Sequence, residues 1–223
     1  MFLLIDKPKG MTSHDVVDRV RRITSERKVG HGGTLDPNAT GLLVVGVGRE
    51  ATKQLGEIAK NKGKTYEAEI FLGEERETDD IEGKIATRNE DIIPSFGDVK
   101  SVVKEFVGEI EQVPPSFSAV KMEGEKAYEK ARKGEEVKIK PRVVVIYKAE
   151  LIDYGYPLVE MVFEVSSGTY IRALARDLGR KLGCGAYLVN LRRTKIGEFS
   201  IAQAVNLDNL SEDNWKGYAI NSL

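Results

Sequence analysis

The residues best suited to chemistry lie in segment 30–41, Gly-His-Gly-Gly-Thr-Leu-Asp-Pro-Asn-Ala-Thr-Gly, which holds one carboxylate and one of the chain's two histidines. Its glycines allow positive φ or a close backbone approach to a ligand, so the segment predicts a shaped loop. Asp36 precedes Pro37, which favours an extended or turn conformation at the carboxylate. A carboxylate fixed on such a loop suits nucleophilic or acid–base chemistry. The alternative interpretation is a structural turn closed by the Asp36 side chain.

Regular elements must position this loop. The apolar run 42–45 predicts a buried strand directly after it, and residues 2–5 predict a short strand before it. Thr12 predicts the cap of an intervening helix, with Asp15 three residues later as in a capping box. Further helices are expected over 49–60, 98–107, 123–133 and 169–182, and strands over 64–72, 142–152, 158–165 and 186–196. Because strands and helices interleave without a regular βαβ alternation, we predict an α+β fold with a mixed, largely antiparallel sheet flanked by helices.

Composition limits the class of protein. The chain of 223 residues has a single cysteine, so no intrachain disulfide can form, which is typical of a reducing compartment. One cysteine and two histidines cannot complete a typical structural zinc site. No apolar run approaches the roughly 18 residues of a membrane-spanning helix. We therefore expect a cytoplasmic protein that uses neither metal nor membrane.

Charge is distributed unevenly along the chain. The net charge of −1 by itself argues against a nucleic-acid partner, which needs a basic surface. However, residues 61–120 carry 7 basic and 14 acidic side chains, whereas residues 121–200 carry 16 basic and 11 acidic ones. The acidic side chains concentrate in segment 74–82, so we expect a polarised molecule with a cationic cleft. Solvated charge runs without a binding role are the alternative interpretation.

Six ordered blocks carry a resemblance to a known family. They are Lys-Pro-Lys-Gly-Met-Thr-Ser-His-Asp at 7–15, the loop 30–41, Gln-Val-Pro-Pro-Ser-Phe-Ser-Ala-Val-Lys at 112–121, Ser-Gly-Thr-Tyr-Ile-Arg at 167–172, Leu-Gly-Cys-Gly-Ala at 182–186 and Leu-Arg-Arg at 191–193. In this order and at these spacings the chain resembles the bacterial tRNA pseudouridine synthases of the TruB type over residues 2–210. The resemblance implies the pseudouridine synthase catalytic fold and isomerisation of a T-loop uridine, position 55 of tRNA, without a cofactor.

The resemblance also implies three catalytic residues. Asp36 matches the family's catalytic carboxylate, and Arg172 matches the arginine that pairs with it and keeps it ionised. Tyr66 matches the tyrosine that stacks on the target base. From the residues alone, Arg172 could equally be a surface arginine and Tyr66 a core tyrosine on an alternating strand.

Substrate-binding residues follow from the same blocks. His31 matches the histidine that fills the space left when the uridine leaves its stack, and the alternative is a loop histidine bonded to a backbone carbonyl. The insertion 114–142 resembles a segment that closes on the RNA, although its five glutamates also fit a solvated helix. The full expected set is His31, Gly32, Thr34, Lys7, Tyr170, Lys121, Lys126, Lys130 and Arg132. Lys7 is also expected to support the loop.

Two features depart from the family pattern. Many relatives have a lysine where this chain has Ser167, which removes a cation from the expected RNA surface. Members of the family commonly carry a C-terminal PUA domain, whereas we expect here a catalytic domain over 1–210 and a tail over 211–223. We expect the chain to act as a monomer.

Other functions fit isolated motifs. Segment 46–51, Gly-Val-Gly-Arg-Glu-Ala, matches a dinucleotide-binding fingerprint, but the surrounding elements do not predict a doubly wound sheet. His31-Gly32-Gly33 resembles an oxyanion loop of lipases, yet the sequence contains no Gly-x-Ser-x-Gly. A tRNA-binding folding factor and a synthase that depends on a guide RNA are the remaining alternatives.

Overall fold

The fold is mixed α and β, with a large, mostly antiparallel sheet and helices, which confirms the predicted fold class. The computed structural model describes residues 1–89, 91–118, 120–122, 124–135 and 137–221. The chain divides into two compact units: unit 1 comprises Met1–Glu67 and Asn190–Leu223, and unit 2 comprises Ala68–Val189. Within the described residues, no helix has the length and apolar character needed to cross a membrane.

The described residues form fourteen strands, five α-helices and three 3-10 turns. The strands are β1 (Phe2–Lys7), β2 (Val29–His31), β3 (Thr40–Val47), β4 (Lys64–Leu72), β5 (Glu74–Arg76), β6 (Ile85–Arg88), β7 (Gly108–Gln112), β8 (Lys121–Met122), β9 (Glu125–Lys126), β10 (Arg142–Gly155), β11 (Leu158–Val165), β12 (Ala186–Ile196), β13 (Phe199–Ser200) and β14 (Val205–Asn206). The helices are α1 (Ser13–Thr24), α2 (Arg49–Asn61), α3 (Phe96–Lys104), α4 (Ala127–Arg132) and α5 (Ile171–Leu182), and three 3-10 turns follow β13 at Ile201–Gln203, Leu207–Asn209 and Trp215–Tyr218. The predicted bounds of β4, β11 and β12 are confirmed.

In unit 1, β1 pairs antiparallel with β3, and successive side chains of β1 point to opposite faces. Leu3 and Ile5 pack with Val16, Val17 and Val20 of α1 in one buried cluster. On the other face, a second cluster joins β1 and β3 to α2 through Phe2, Leu4, Leu42, Val44, Ala51, Leu55 and Ile58. The two helices therefore cover the two faces of these strands.

The start of α1 has the predicted capping box. The Thr12 hydroxyl accepts a hydrogen bond from the Asp15 amide at 3.0 Å, and the Asp15 carboxylate accepts one from the Thr12 amide at 2.8 Å. These two bonds satisfy amides that the first helical turn leaves free. They fix where α1 begins and therefore where Ser13 lies.

Three predicted helices differ at their ends. α3 begins at Phe96 because Ser95 and Asp98 form a capping box that the periodicity does not reveal. The predicted helix over 123–133 begins only at Ala127, since β8 and β9 pair as a short hairpin before it. α5 begins at Ile171 and not at the predicted residue 169, because Thr169 belongs to a turn. The Thr169 hydroxyl closes this turn by donating to the Ser166 carbonyl at 2.9 Å.

Unit 2 contains the long hairpin of β10 and β11, with β7 paired to β10 from Arg142–Gln112 to Ile146–Gly108. Its inward side chains, including Ile146, Met161 and Phe163, are buried. The acidic segment 74–82, for which a solvated charge run was the alternative interpretation, begins with β5, which pairs with β6. α5 carries eight buried residues, two of them arginines, so this helix is a core element of unit 2.

Gly41 lies in β3, the strand after the loop, where the neighbouring backbone leaves no room for a side chain. Its φ is +102°, and a Cβ there would lie 2.3 Å from the Arg193 carbonyl oxygen. We expect Gly41→Ala to lower the free energy of unfolding by about 3 kcal/mol through backbone strain and overpacking. Urea denaturation measures this. Gly56→Ala in α2 is the control, because no atom lies within 4 Å of its Cβ position; there we expect a gain of up to about 1 kcal/mol, and equal effects of both changes would contradict the account.

Candidate active site

Three buried side chains of unit 1 hold the loop that carries Asp36. They are Lys7 at the end of β1, Ser13 at the start of α1 and Arg193 in β12, and each is at most 2% exposed. All three bond to backbone groups of residues 33–37. The sequence predicted loop support for Lys7 but not for Ser13 or Arg193. Arg193 lies in the block 191–193, which contributed only to the family resemblance.

Arg193 spans both sides of the loop. Its Nε donates to the Leu42 carbonyl at 2.8 Å, Nη2 to the Gly33 carbonyl at 3.0 Å and Nη1 to the Thr34 carbonyl at 3.5 Å. A guanidinium can reach three carbonyls because its donors are spread in a rigid plane. Arg193 therefore joins the loop to the strand that follows it.

Lys7 fixes the chain on the other side of Asp36. Its Nζ donates to the carbonyls of Pro8 at 2.8 Å, Met11 at 2.7 Å and Pro37 at 3.2 Å. Burial lowers the pKa of Lys7 to about 8; the Asp36 carboxylate opposes this shift, and the Arg193 charge adds to it. Since this ammonium is fully buried among carbonyls, its bonds support the loop, and its expected substrate contact stays a prediction.

Ser13 and a turn complete the support of the carboxylate. The Ser13 hydroxyl accepts from the Leu35 amide at 2.9 Å and donates to the Leu35 carbonyl at 3.1 Å. The Asp36 carbonyl accepts from the Ala39 amide at 3.1 Å. The backbone is thus held before and after Asp36, whose residue is half-buried, so the loop that carries the carboxylate is fixed by the protein's own bonds.

The remaining loop residues expected at the substrate differ in exposure. His31 is half-buried, and its pKa is lowered by burial first and then by the Arg193 and His14 charges, so the imidazole is neutral at pH 7. Thr34 is exposed and available to a substrate. Gly32 is buried, and its amide donates to the Val44 carbonyl at 2.8 Å, which shapes the loop; its expected substrate contact stays a prediction.

Tyr66 lies on the buried face of β4 together with Lys64 and is 7% exposed. Lys64 donates to the carbonyls of Ala59 at 3.1 Å and Lys62 at 3.0 Å, at the end of α2. Burial lowers the pKa of Lys64 to about 8, with Arg193 contributing. A cation at these free carbonyls stabilises the helix end. The stacking role of Tyr66 stays a prediction.

Arg172 is buried in unit 2, which excludes its interpretation as a surface arginine. Its Nη1 donates to the Thr78 carbonyl at 3.1 Å and to the Asp80 carboxylate at 3.2 Å, and its Nη2 donates to the Phe117 carbonyl at 3.1 Å. These bonds fix the guanidinium from several directions. The predicted pairing of Arg172 with Asp36 stays a prediction.

Tyr170 immediately precedes α5 and is held by a buried glutamine. The Tyr170 amide donates to Gln112 Oε1 at 2.8 Å, and Gln112 Nε2 donates to the Tyr170 carbonyl at 3.1 Å. The Arg142 guanidinium lies 4.6 Å from the centre of the Tyr170 ring, in cation–π geometry. The tyrosine residue is half-buried, which leaves part of it accessible for its expected substrate contact.

The insertion 114–142 contains the hairpin β8–β9 and the short helix α4. Lys130 lies on α4 and is half-buried. The side chains of Lys121, Lys126 and Arg132 lie outside the described residues, so their expected RNA contacts stay predictions. No group of three or more His, Cys, Asp or Glu side chains is placed to hold a metal ion in the part of the chain that the structure describes.

Two family models match successive parts of the chain. The family described as TruB family pseudouridylate synthase (N terminal domain) matches residues 21–171, and the tRNA pseudouridylate synthase B C-terminal domain matches residues 172–222. The tRNA pseudouridine synthase B of Arthrobacter sp. (strain FB24) is 47% identical over 217 residues, covering 95% of this chain and 70% of the relative. That of Thermobifida fusca (strain YX) is 46% identical over 219 residues, covering 95% and 74%.

Solved structures show the same fold. A chain of a Cbf5–Nop10–Gar1 complex is 32% identical with a TM-score of 0.72, and covers 99% of this chain. A chain of an H/ACA RNP bound to a substrate RNA containing 2'-deoxyuridine is 29% identical with a TM-score of 0.70, with the same 99% coverage. This chain spans 56% of the length of each of those two chains.

Proposed function

Because the chain belongs to the TruB family of pseudouridylate synthases, we propose that it converts the T-loop uridine at position 55 of tRNA into pseudouridine. One observation carries the proposal. Asp36 stands on a loop whose backbone is bonded on both sides of the carboxylate by the buried residues Lys7, Ser13 and Arg193. A carboxylate held in this way is suited to act on a substrate that must itself be held still.

The reaction rearranges one nucleotide. The bond between sugar C1′ and base N1 breaks, the base turns, and a bond forms between C1′ and C5; the C5 proton leaves and N1 gains one. Asp36 acts as an ionised carboxylate beside the sugar and the base. It either adds to C1′ or removes a sugar proton, and both courses begin from the same ionised carboxylate.

His31 and Thr34 contact the substrate in this proposal. A uridine must leave its stack before its C5 can be reached, which costs a few kcal/mol. A neutral imidazole is cheaper to place among unstacked bases than a charged one, because it need not be desolvated as an ion. The lowered pKa of His31 therefore supports its role in filling the space that the uridine leaves.

The basic residues of the insertion and its surroundings bind the RNA backbone in this proposal. Affinity should then depend on salt through the release of counterions. With about four phosphates contacted, we expect a slope near −3 in a plot of log K against log salt, which is about a 60-fold loss between 50 and 200 mM. Filter binding with a T-stem-loop RNA measures this, and a slope shallower than about −1 would contradict a phosphate-dominated interface.

A second candidate is a synthase that needs a guide RNA, favoured by the similarity to a chain of an H/ACA RNP at 29% identity. The 47% identity to a tRNA pseudouridine synthase B favours the stand-alone enzyme. Incubating the purified chain alone with unmodified tRNA, then mapping pseudouridine by carbodiimide adducts and reverse transcription, separates them. We expect a single new stop, at the nucleotide 3′ of position 55, which reports pseudouridine at 55. A stop only after other RNA is added would support the guide-dependent alternative, and tRNA binding without any product would leave a folding factor.

A further inference from the structure

Helix α5 presents three arginines to the acidic segment of unit 2. Arg172 pairs with Asp80 at 3.2 Å, Arg176 with Asp79 at 2.9 Å and Arg180 with Glu75 at 2.9 Å. Residues four apart lie on one helix face about 6 Å from each other. The acidic partners follow in the reverse order, so helix and segment are joined by three successive ion pairs, of which Arg172 forms the first.

Asp79 is held in a specific conformation. Its φ is +59°, in the left-handed region, which aspartate and asparagine tolerate better than other side chains. Its amide donates to the Arg76 carbonyl at 3.0 Å, and its carbonyl accepts from the Leu188 amide at 3.0 Å. Its side chain is 12% exposed. The backbone of this turn therefore directs a carboxylate inward, towards Arg176.

Arg172 and Arg176 bind the same two segments. Arg176 joins Asp79 to the Val113 carbonyl, to which its Nη2 donates at 2.9 Å. Arg172 joins Thr78 and Asp80 to the Phe117 carbonyl. The pair of Arg176 with Asp79 therefore fixes both stretches of backbone that supply acceptors to Arg172.

We propose that Asp79 is a positioning residue that acts through Arg176 to hold the acceptors of Arg172 in place. The inference rests on the proposed function, in which Arg172 belongs to the catalytic machinery. Asp79 itself need not touch the RNA. Its loss should therefore lower the rate of the chemical step and leave RNA affinity unchanged.

The charges around Asp79 add a pH dependence. Burial raises the pKa of Asp79 to about 6, against the attraction of Arg176, Arg172 and Arg180, while Asp177 adds to the rise. The folded state therefore binds a proton on Asp79 more tightly than the unfolded chain does. Protonation of Asp79 stabilises the fold at low pH, and this contribution is lost as pH rises from about 4 through 6. The Asp79→Asn variant has no titrating side chain at this position, so a pH dependence that comes from Asp79 should be absent from it.

The test compares Asp79→Asn with wild type in single-turnover reactions on tRNA. At pH 8 we expect a rate about tenfold lower, with unchanged affinity. At pH 5 wild-type Asp79 is mostly protonated, so the ratio should narrow to about twofold. Dividing the wild-type rate by the variant rate at each pH removes the effect of groups that titrate alike in both proteins. Glu75→Gln, which removes the third ion pair, is the control and should stay within about twofold of wild type.

Two results would overturn the inference: equal rates at pH 8, or a tenfold gap that persists at pH 5. If Asp79→Asn does not fold, Arg176→Lys replaces it as the test. This variant keeps the positive charge but loses the forked guanidinium, and it must lower the rate without changing the affinity for tRNA. If wild type shows no turnover at any pH, the proposed function fails instead. Amide hydrogen exchange then decides the inference. The Leu188 amide donates to the Asp79 carbonyl and the Ile81 amide to the Leu188 carbonyl, each at 3.0 Å, so both amides must exchange faster in Asp79→Asn. Unchanged exchange overturns the inference.

Discussion

Replacing Asp36 by asparagine is expected to lower the single-turnover rate of isomerisation at least about 1,000-fold while the Kd for tRNA changes less than about tenfold, or roughly 1.4 kcal/mol. Asparagine has nearly the same shape and carries no charge, so the nucleophile or base is lost. The bonds that hold the loop come from Lys7, Ser13 and Arg193 to backbone groups and do not involve this side chain. The rate of isomerisation should therefore fall while the affinity for tRNA changes little.

Asp208→Asn is the matched control for this change. Its carboxylate pairs with Arg19 at 2.8 Å, and its side chain is 76% exposed, so the pair adds little to stability. We expect wild-type turnover from this variant. More than about 1% residual turnover in Asp36→Asn, well above the floor expected on loss of an essential group, would remove Asp36 from the central role.

Replacing Arg193 by methionine is expected to lower the free energy of unfolding by about 3 to 5 kcal/mol, because buried carbonyls lose their donors. The carbonyls concerned belong to Gly33, Thr34 and Leu42. Since two of the three lie in the loop, we also expect the rate of folded protein to fall at least about 100-fold through misplacement of Asp36. Urea denaturation and single-turnover kinetics measure the two effects.

The neighbouring Arg192→Met is the control for Arg193. Arg192 makes a forked pair with Asp6 at 2.7 and 3.1 Å, but its side chain is 38% exposed. We expect a loss of less than about 1 kcal/mol. Similar losses from the two variants would show that Arg193 is not the main support of the loop.

Local signals in the sequence predicted much of the fold. The capping box of Thr12 and Asp15, the alternating strand over 64–72 and the strand bounds at 186–196 depend on residues close in sequence, and the structure has them. The ordered motif blocks identified the family, because their order and spacing are specific over nearly the whole chain. The same blocks predicted Asp36, which the loop bonds now place in a structural context.

The supports of the site other than Lys7 could not be predicted in this way. Arg193 bonds to residues 151 to 160 positions earlier, and Arg172 to Asp80 92 positions earlier. No periodicity or spacing links such residues, since their meeting depends on how strands and helices pack. Ser13 was similarly hidden, because its role is visible only once α1 is seen beside the loop.

The acidic segment shows why charge counts along the chain mislead. By sequence its residues fit a solvated run, yet Glu74 pairs with Arg76 and Arg88, and Asp79 and Asp80 pair with arginines of α5. Opposite charges on segments distant in sequence neutralise each other within unit 2. The expected polarisation therefore has to be assessed from the charges that stay unpaired at the surface.

The most direct test of the central claim uses a T-stem-loop RNA tritiated at C5 of the uridine equivalent to position 55 and nowhere else. Purified protein is mixed with it in excess, and tritium released to water is followed with wild type and Asp36→Asn in parallel. We predict complete release, one tritium per RNA, by wild type and no measurable release by Asp36→Asn. Release by both proteins would contradict the role of Asp36, and release by neither, with full-length tRNA also unreactive, would contradict the proposed reaction.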